Sequence, residues 1–272
     1  MKRHIYIWLF LLPFVNTIAQ EVFKNNQVTV SVLKENVLVF ETFDNTTMYL
    51  IEGEQQAALI DMGTKCDGLD QIVKQLCSKP LIVIGTHAHP DHIGCIDQFD
   101  KVWLHKDDSA LIEQFAKNYK GEILYVEEGQ IFDLGGRKLE IDLMSGHTPG
   151  SIVILDKENG DCYSGDAFGS GQVWLQTIPH TPIKVYYESC VRMEKIMNDT
   201  GISRIYCGHY PYLKKALDLQ YLIESKDLAK RISDGEDVNA VHYPYTPDKE
   251  NKNIVIAQNG FAMIVYDSEN IN

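Results

Sequence analysis

Beyond residue 27 the chain runs in short apolar stretches with a two-residue beat. Val28–Leu33, Val37–Glu41, Met48–Glu52 and Ala57–Ile60 carry β-type residues, separated by turns such as Asp44-Asn45 and Glu52-Gly53-Glu54. This pattern predicts an antiparallel meander. The beat then lengthens: Leu69, Ile72, Val73 and Leu76 recur at helical spacing and predict a helix over 67–78. Leu81–Ile84 is an unbroken apolar run, as expected of a strand buried on both faces. A strand follows at Val102–Leu104, a helix over 107–119, and strands at Ile123–Val126, Ile131–Leu134 and Lys138–Met144, with Gly135-Gly136 as a hairpin turn. Ser151–Leu155 and Asp161–Ser164 read as a second hairpin around Glu158-Asn159-Gly160. Residues 186–198 are amphipathic, Arg204–Tyr206 is a short strand, and Tyr212–Ile232 reads as a long helix. Ile254–Gln258 and Phe261–Tyr266, joined by Asn259-Gly260, close the chain as a hairpin. Two β-rich halves with interleaved helices predict an α/β (α+β) arrangement of two packed sheets with helices outside.

The N-terminus departs from this pattern. Lys2 and Arg3 precede an apolar run from Ile5 to Val15, and Thr17-Ile18-Ala19 supplies small residues at cleavage-site spacing. This layout predicts a signal peptide over 1–20, with an apolar stretch too short to span a bilayer, and a single domain over 21–272. The expected location is periplasmic or secreted. No later run is long and apolar enough for a membrane helix. The formal net charge of −13 argues against a nucleic-acid partner, which favours a basic face. An oxidising compartment permits disulfides. No CxxC spacing occurs among Cys66, Cys77, Cys95, Cys162, Cys190 and Cys207, and most are expected to be small buried apolar residues.

The chemistry concentrates at the end of the Leu81–Ile84 run. Thr86-His87-Ala88-His89-Pro90-Asp91-His92 places three imidazoles and a carboxylate in one short loop. Alternation puts His87 and His89 on one side. Pro90 suits a first helical position, so Asp91 and His92 are expected in a first helical turn. His147 follows another strand in a Gly/Pro-bounded loop, and Asp166 and His209 each follow a strand-like run. A Gly immediately precedes all three, allowing close backbone approach. Five His and two Asp suffice for two metal ions sharing one carboxylate. Imidazole nitrogen and carboxylate oxygen are the donors zinc takes, with iron or manganese as alternatives.

His87-x-His89-x-Asp91-His92 followed by His147, Asp166 and His209 resembles the metallo-β-lactamase superfamily. Leu59-Ile60-Asp61-Met62-Gly63 is similar to that family's early Asp-containing turn. The resemblance covers residues from about 30 to 210 and implies a four-layered αββα sandwich. It further implies that His87, His89 and His147 hold one metal, that Asp91, His92 and His209 hold the other, and that Asp166 bridges them. The implied reaction is attack of a metal-bridging hydroxide on a small ester, thioester, lactone or amide carbonyl. In that scheme Asp91 orients the hydroxide as a catalytic residue, and Asp61 orients a ligand His.

Departures from the family's patterns bound the substrate. Asp166 stands where the commonest β-lactam-hydrolysing group has Cys. Ala167-Phe168-Gly169-Ser170-Gly171 replaces the Gly-Cys-Gly-Arg-like stretch of glyoxalase II-type members. The expectation is therefore an exported dinuclear zinc hydrolase of a small molecule. β-Lactam hydrolysis and a mononuclear iron oxidoreductase of the persulfide dioxygenase type are the alternatives. Pocket candidates are His180, Phe168, Trp174, Tyr186, Tyr187 and Tyr210; His105 is read as structural and His242 as a surface residue.

Overall fold

A computed structural model describes residues 20–245 and 253–271. The expected leader therefore lies outside the described residues, Gln20 excepted, as does the segment around Pro247. The first sheet has eight strands adjacent in chain order: β1 (Glu21–Lys24), β2 (Val28–Lys34), β3 (Val37–Thr42), β4 (Thr47–Glu52), β5 (Ala57–Ile60), β6 (Leu81–Ile84), β7 (Lys101–His105) and β8 (Glu122–Val126). Pairing is antiparallel as far as β5 and parallel from β5 to β8. Parallel neighbours need crossovers, supplied by α1 (Leu69–Leu76) before β6 and α2 (Ser109–Phe115) before β8.

The next strands are β9 (Ile131–Asp133), β10 (Lys138–Leu143), β11 (Ile152–Asp156), β12 (Asp161–Gly165) and β13 (Gln172–Trp174), then α3 (Ile183–Thr200) and β14 (Arg204–Cys207). Omitting β13, these strands form the second sheet in the order β14-β12-β11-β10-β9. The last elements are α4 (Leu219–Ser233), β15 (Val241–His242), β16 (Ile254–Asn259) and β17 (Ala262–Asp267).

Strand alternation assigns each apolar side chain to a layer. Ala58, Ile60 and Ile51 face the second sheet and meet Ile141, Ile152, Ile154 and Tyr163 in the central core. Their neighbours Ala57, Leu59 and Leu50 face the other way, onto Leu69 and Val73 of α1 and Leu111 of α2. On the outer face of the second sheet, Val153, Leu155 and Cys162 pack against Met193 and Met197 of α3 and Leu222 and Leu228 of α4. Helix, sheet, sheet, helix is the expected four-layer order. The Tyr49 hydroxyl of β4 donates to the Cys207 carbonyl of β14 (2.7 Å), tying the two sheets together beside the ligand loops.

Three regions differ from the sequence expectation. The predicted helix over 212–232 starts only at Leu219. Leu217 exchanges both backbone hydrogen bonds with Ile205 (2.8 Å each), and the Asp218 carboxylate accepts from the Tyr221 amide (3.1 Å) as an N-cap. The predicted helix over 107–119 is regular only over Ser109–Phe115. The C-terminal hairpin does not stand alone: β13 pairs parallel with β17 and β15 antiparallel with β16, giving a third, four-stranded sheet. Its Ala257, Ala262, Ile264 and Tyr266 pack with α4, extending the outer core. All six cysteines are buried free thiols, as expected of small core residues; Cys66 and Cys95 approach with Sγ atoms 3.5 Å apart. No helix among the described residues is long and apolar enough to cross a membrane.

Candidate metal centre

Four loops leave strand ends on one edge of the sandwich. They follow β6 (His87 to His92), β10 (His147), β12 (Asp166) and β14 (His209). The first carries Asp91 and His92 in a single turn of helical type, in which both His92 and Ile93 amides donate to the His89 carbonyl (3.0 Å), and no regular helix continues from it. The seven side chains fall into two groups. One is His87, His89 and His147, and the other is Asp91, His92, Asp166 and His209; within each, one donor atom per residue lies within 4.8 Å of every other. Asp166 sits between the groups. Its carboxylate is 3.5 Å from His92 Nε2, 3.3 Å from His209 Nε2 and 3.8 Å from His147 Nε2. Asp91 Oδ2 lies 3.6 Å from His209 Nε2 and 3.7 Å from His92 Nε2.

Glycines make this convergence possible. A Cβ on Gly208 would lie 2.5 Å from Asp166 Oδ1 and 2.6 Å from His92 Cε1. A Cβ on Gly165, whose φ is +49°, would lie 2.1 Å from Thr86 Oγ1. Any larger residue would push the ligand loops apart.

The backbone and neighbouring side chains orient the rings. His147 Nδ1 donates to the Trp174 carbonyl (2.8 Å) and His209 Nδ1 to the Asn45 carbonyl (3.2 Å). His92 Nδ1 donates to Asp61 Oδ2 (2.9 Å). The same carboxylate accepts from the Thr86 hydroxyl (2.9 Å) and the Thr86 amide (2.7 Å), and His87 Nδ1 in turn donates to Thr86 Oγ1 (3.1 Å). Four rings thereby keep Nε2 free for the centre, whereas His89 presents Nδ1, 2.9 Å from His147 Nε2. Such partners fix ring tautomer and direction in metal sites.

A second carboxylate ties the loops together. Asp108, fully buried, accepts from the Ala88 amide (2.9 Å), the Thr148 hydroxyl (3.0 Å) and the Gly150 amide (2.7 Å). Sequence reasoning missed it, since Asp at a helix start reads as an ordinary cap.

The donor chemistry fits metal ions. His87 Nε2, His92 Nε2 and Asp166 Oδ1 are buried without a hydrogen-bond partner, a costly condition that a cation would relieve. Burial, reinforced by the neighbouring rings, pushes His87 well down and His89 down to about 3. Burial likewise lowers His147, against Asp166. These three imidazoles are held neutral, as ligands must be. In the second group burial opposes charge, but the carboxylates prevail: Asp166, Asp91 and Asp61 raise His92, and His209 and His92 hold Asp166 well below the usual carboxylate range. The carboxylates raise His209 in the same way, and a cation bound among these four residues would take the place of the protons on the two rings.

The centre opens into a cavity of about 910 Å³ that reaches His89, Asp91, His147, Asp166 and His209. Of the predicted pocket residues, His180 and Trp174 line it. Phe168 and Tyr186 instead belong to the outer core, with Tyr187 and Tyr210 packed against it. Phe115 and Tyr212, not anticipated, line the cavity. His105 caps the turn before α2, accepting from the Asp107 amide (3.3 Å), and His242 is exposed.

Comparison with known proteins agrees with this architecture. A profile of the metallo-beta-lactamase superfamily matches residues 42–209. The chain is 24% identical to the acyl-coenzyme A thioesterase MBLAC2 of Homo sapiens over 210 residues, 63% of this chain and 75% of that protein. It is 24% identical to the hydroxyacylglutathione hydrolase GloC of Haemophilus influenzae over 193 residues, 65% and 90% of the two chains. A metallo-beta-lactamase from Pontibacter korlensis superposes with TM-score 0.56 at 17% identity, covering 78% of this chain and 99% of that one. A protein solved in a di-iron-bound form superposes with TM-score 0.54 at 25% identity, covering 67% and 94%. The profile match spans most of the chain and ends on His209, the last of the converging residues, so the chain belongs to the metallo-beta-lactamase superfamily and is, like its named relatives, a hydrolase.

Proposed function

We propose that this protein is an exported, dinuclear zinc hydrolase of small esters, thioesters, lactones or amides. One observation carries the reading: two donor groups joined at Asp166, with buried unpartnered His87 Nε2, His92 Nε2 and Asp166 Oδ1. His87, His89 and His147 would hold one ion, and Asp91, His92 and His209 the other, with Asp166 shared. Ions bound there would lower the pKa of water toward neutrality and polarise a carbonyl oxygen.

The side chains have distinct tasks around that chemistry. Asp91 lines the cavity with a part-exposed carboxylate, placing Oδ2 to accept a hydrogen bond from an attacking water and orient it. Asp61, through His92 and Thr86, holds two ring directions at once. The cavity admits a small molecule to the centre. The acyl-thioester names of the relatives support a carbonyl substrate, and the basic-then-apolar N-terminus supports export.

The test is hydrolysis of an ester, thioester, lactone and β-lactam panel with and without chelator. Chelator-sensitive turnover of an acyl substrate is expected, restored by zinc. Oxygen consumption with a single iron and no hydrolysis would move the chain to the oxidoreductase alternative.

A further inference from the structure

The third sheet has two unlike faces. Along β13, Val173 points into the outer core while Gln172 and Trp174 line the cavity. Along β17, Ala262, Ile264 and Tyr266 pack with α4, and Met263 and Asp267 line the cavity. On β16, Val255 and Ala257 turn to the α4 side and Ile254 to the cavity. Alternation thus makes the sheet a wall between core and cavity. Trp174 and Met263 present apolar surface on it, backed by the buried Ile254, and Phe115, Ile178 and Tyr212 add apolar surface from other elements. Phe115 is 40% exposed and Ile178 80% exposed, a high degree for such side chains.

This surface is continuous with the candidate centre. Trp174, the wall's aromatic residue, also accepts through its carbonyl from His147 Nδ1. Among the described residues, no lysine or arginine lines the cavity. The space is far larger than a reacting carbonyl requires, and ligand sites of this kind recognise apolar bodies through such walls. Most of the wall lies beyond residue 209, where the family profile ends.

We infer that the C-terminal sheet forms a binding subsite for an uncharged apolar acyl arm, an alkyl chain or ring, whose carbonyl then lies at the centre. The inference rests on the proposed hydrolase reading and names its substrate class: acyl compounds with a bulky, neutral acyl group. Ester and thioester sources share that arm and differ only in leaving group.

Titration calorimetry with the neutral probes butanamide and octanamide tests the subsite without turnover. Octanamide is expected to bind at least tenfold tighter, since each buried methylene adds to affinity. Met263→Glu in the sheet and Phe115→Ser outside it are each expected to reduce that ratio below threefold. Equal binding of the two amides by the native protein, or an unchanged ratio in both variants, would overturn the proposal. Graded binding with no hydrolysis of octanoyl esters or thioesters would keep the subsite and refute the hydrolase reading. Where hydrolysis occurs, octanoyl ester and octanoyl thioester should both show a lower KM than their acetyl counterparts.

Discussion

Two buried carboxylates do different work for the same loops. Asp61 reaches His92 and, through Thr86, His87, so Asp61→Ala should weaken metal binding about 10–100-fold. Competition with a chromophoric chelator would measure this, and undiminished affinity would mean that Asp61 does not position the ligand rings. Asp108 instead satisfies three donors of the His89 and His147 loops. Asp108→Ala leaves them buried and unpaired, and should cost about 3 kcal/mol in urea unfolding. Asp61 was visible in the sequence only through the resemblance of Leu59-Ile60-Asp61-Met62-Gly63 to the superfamily's early Asp-containing turn. Asp108 was not, because its partners Ala88 and Gly150 lie 20 and 42 residues away and only folding brings them together. Asp142, away from the ligand loops, adds a pH dependence of its own. Burial, aided by Glu128 and Glu140 and opposed by Arg192, raises its carboxyl from 3.8 to about 6. Its ionisation therefore destabilises the folded state, with no penalty below pH 3.8 and the full penalty above about pH 6. Asp142→Asn should gain on the order of 1–2 kcal/mol over the native protein at pH 8, and the gain should vanish near pH 4. Equal unfolding midpoints at pH 8 would contradict this.

Regular elements were legible where the apolar period was long enough to repeat. β2 to β6 and α1 appear close to where alternation and helical spacing put them, since both faces of that sheet are buried and fix the register. β13 has three residues and pairs with a strand some ninety positions later, so nothing local marks it. The stretch before α4 mixed apolar and basic residues at helical spacing, yet the backbone pairing of Leu217 with Ile205 and the Asp218 cap set the boundary. Asp218→Ala should therefore cost about 1 kcal/mol of stability, read from the urea midpoint. No change would mean that the Leu217–Ile205 pairing alone defines the helix start. The ligand loops were legible as a set because metal ligation confines their residue types, but how close they come depends on glycines that must accept side chains against the backbone. Gly208→Ala should displace Asp166 and lower metal content while secondary structure by circular dichroism stays native.

At the scale of the molecule, two sheets supply ligands from four strand ends, and the third supplies the apolar wall facing them. The first arrangement could be read from spacing along the chain. The second could not, because the third sheet forms only when β13 meets the C-terminal hairpin. The central claim is that the seven converging side chains form one centre for two ions joined at Asp166. Elemental mass spectrometry of the purified protein and of Asp166→Ala tests it most directly. The native chain should carry about two ions and the variant fewer than about one, with chelator-sensitive hydrolysis lost in parallel. A single ion in both proteins, or unchanged metal content and activity in the variant, would contradict it.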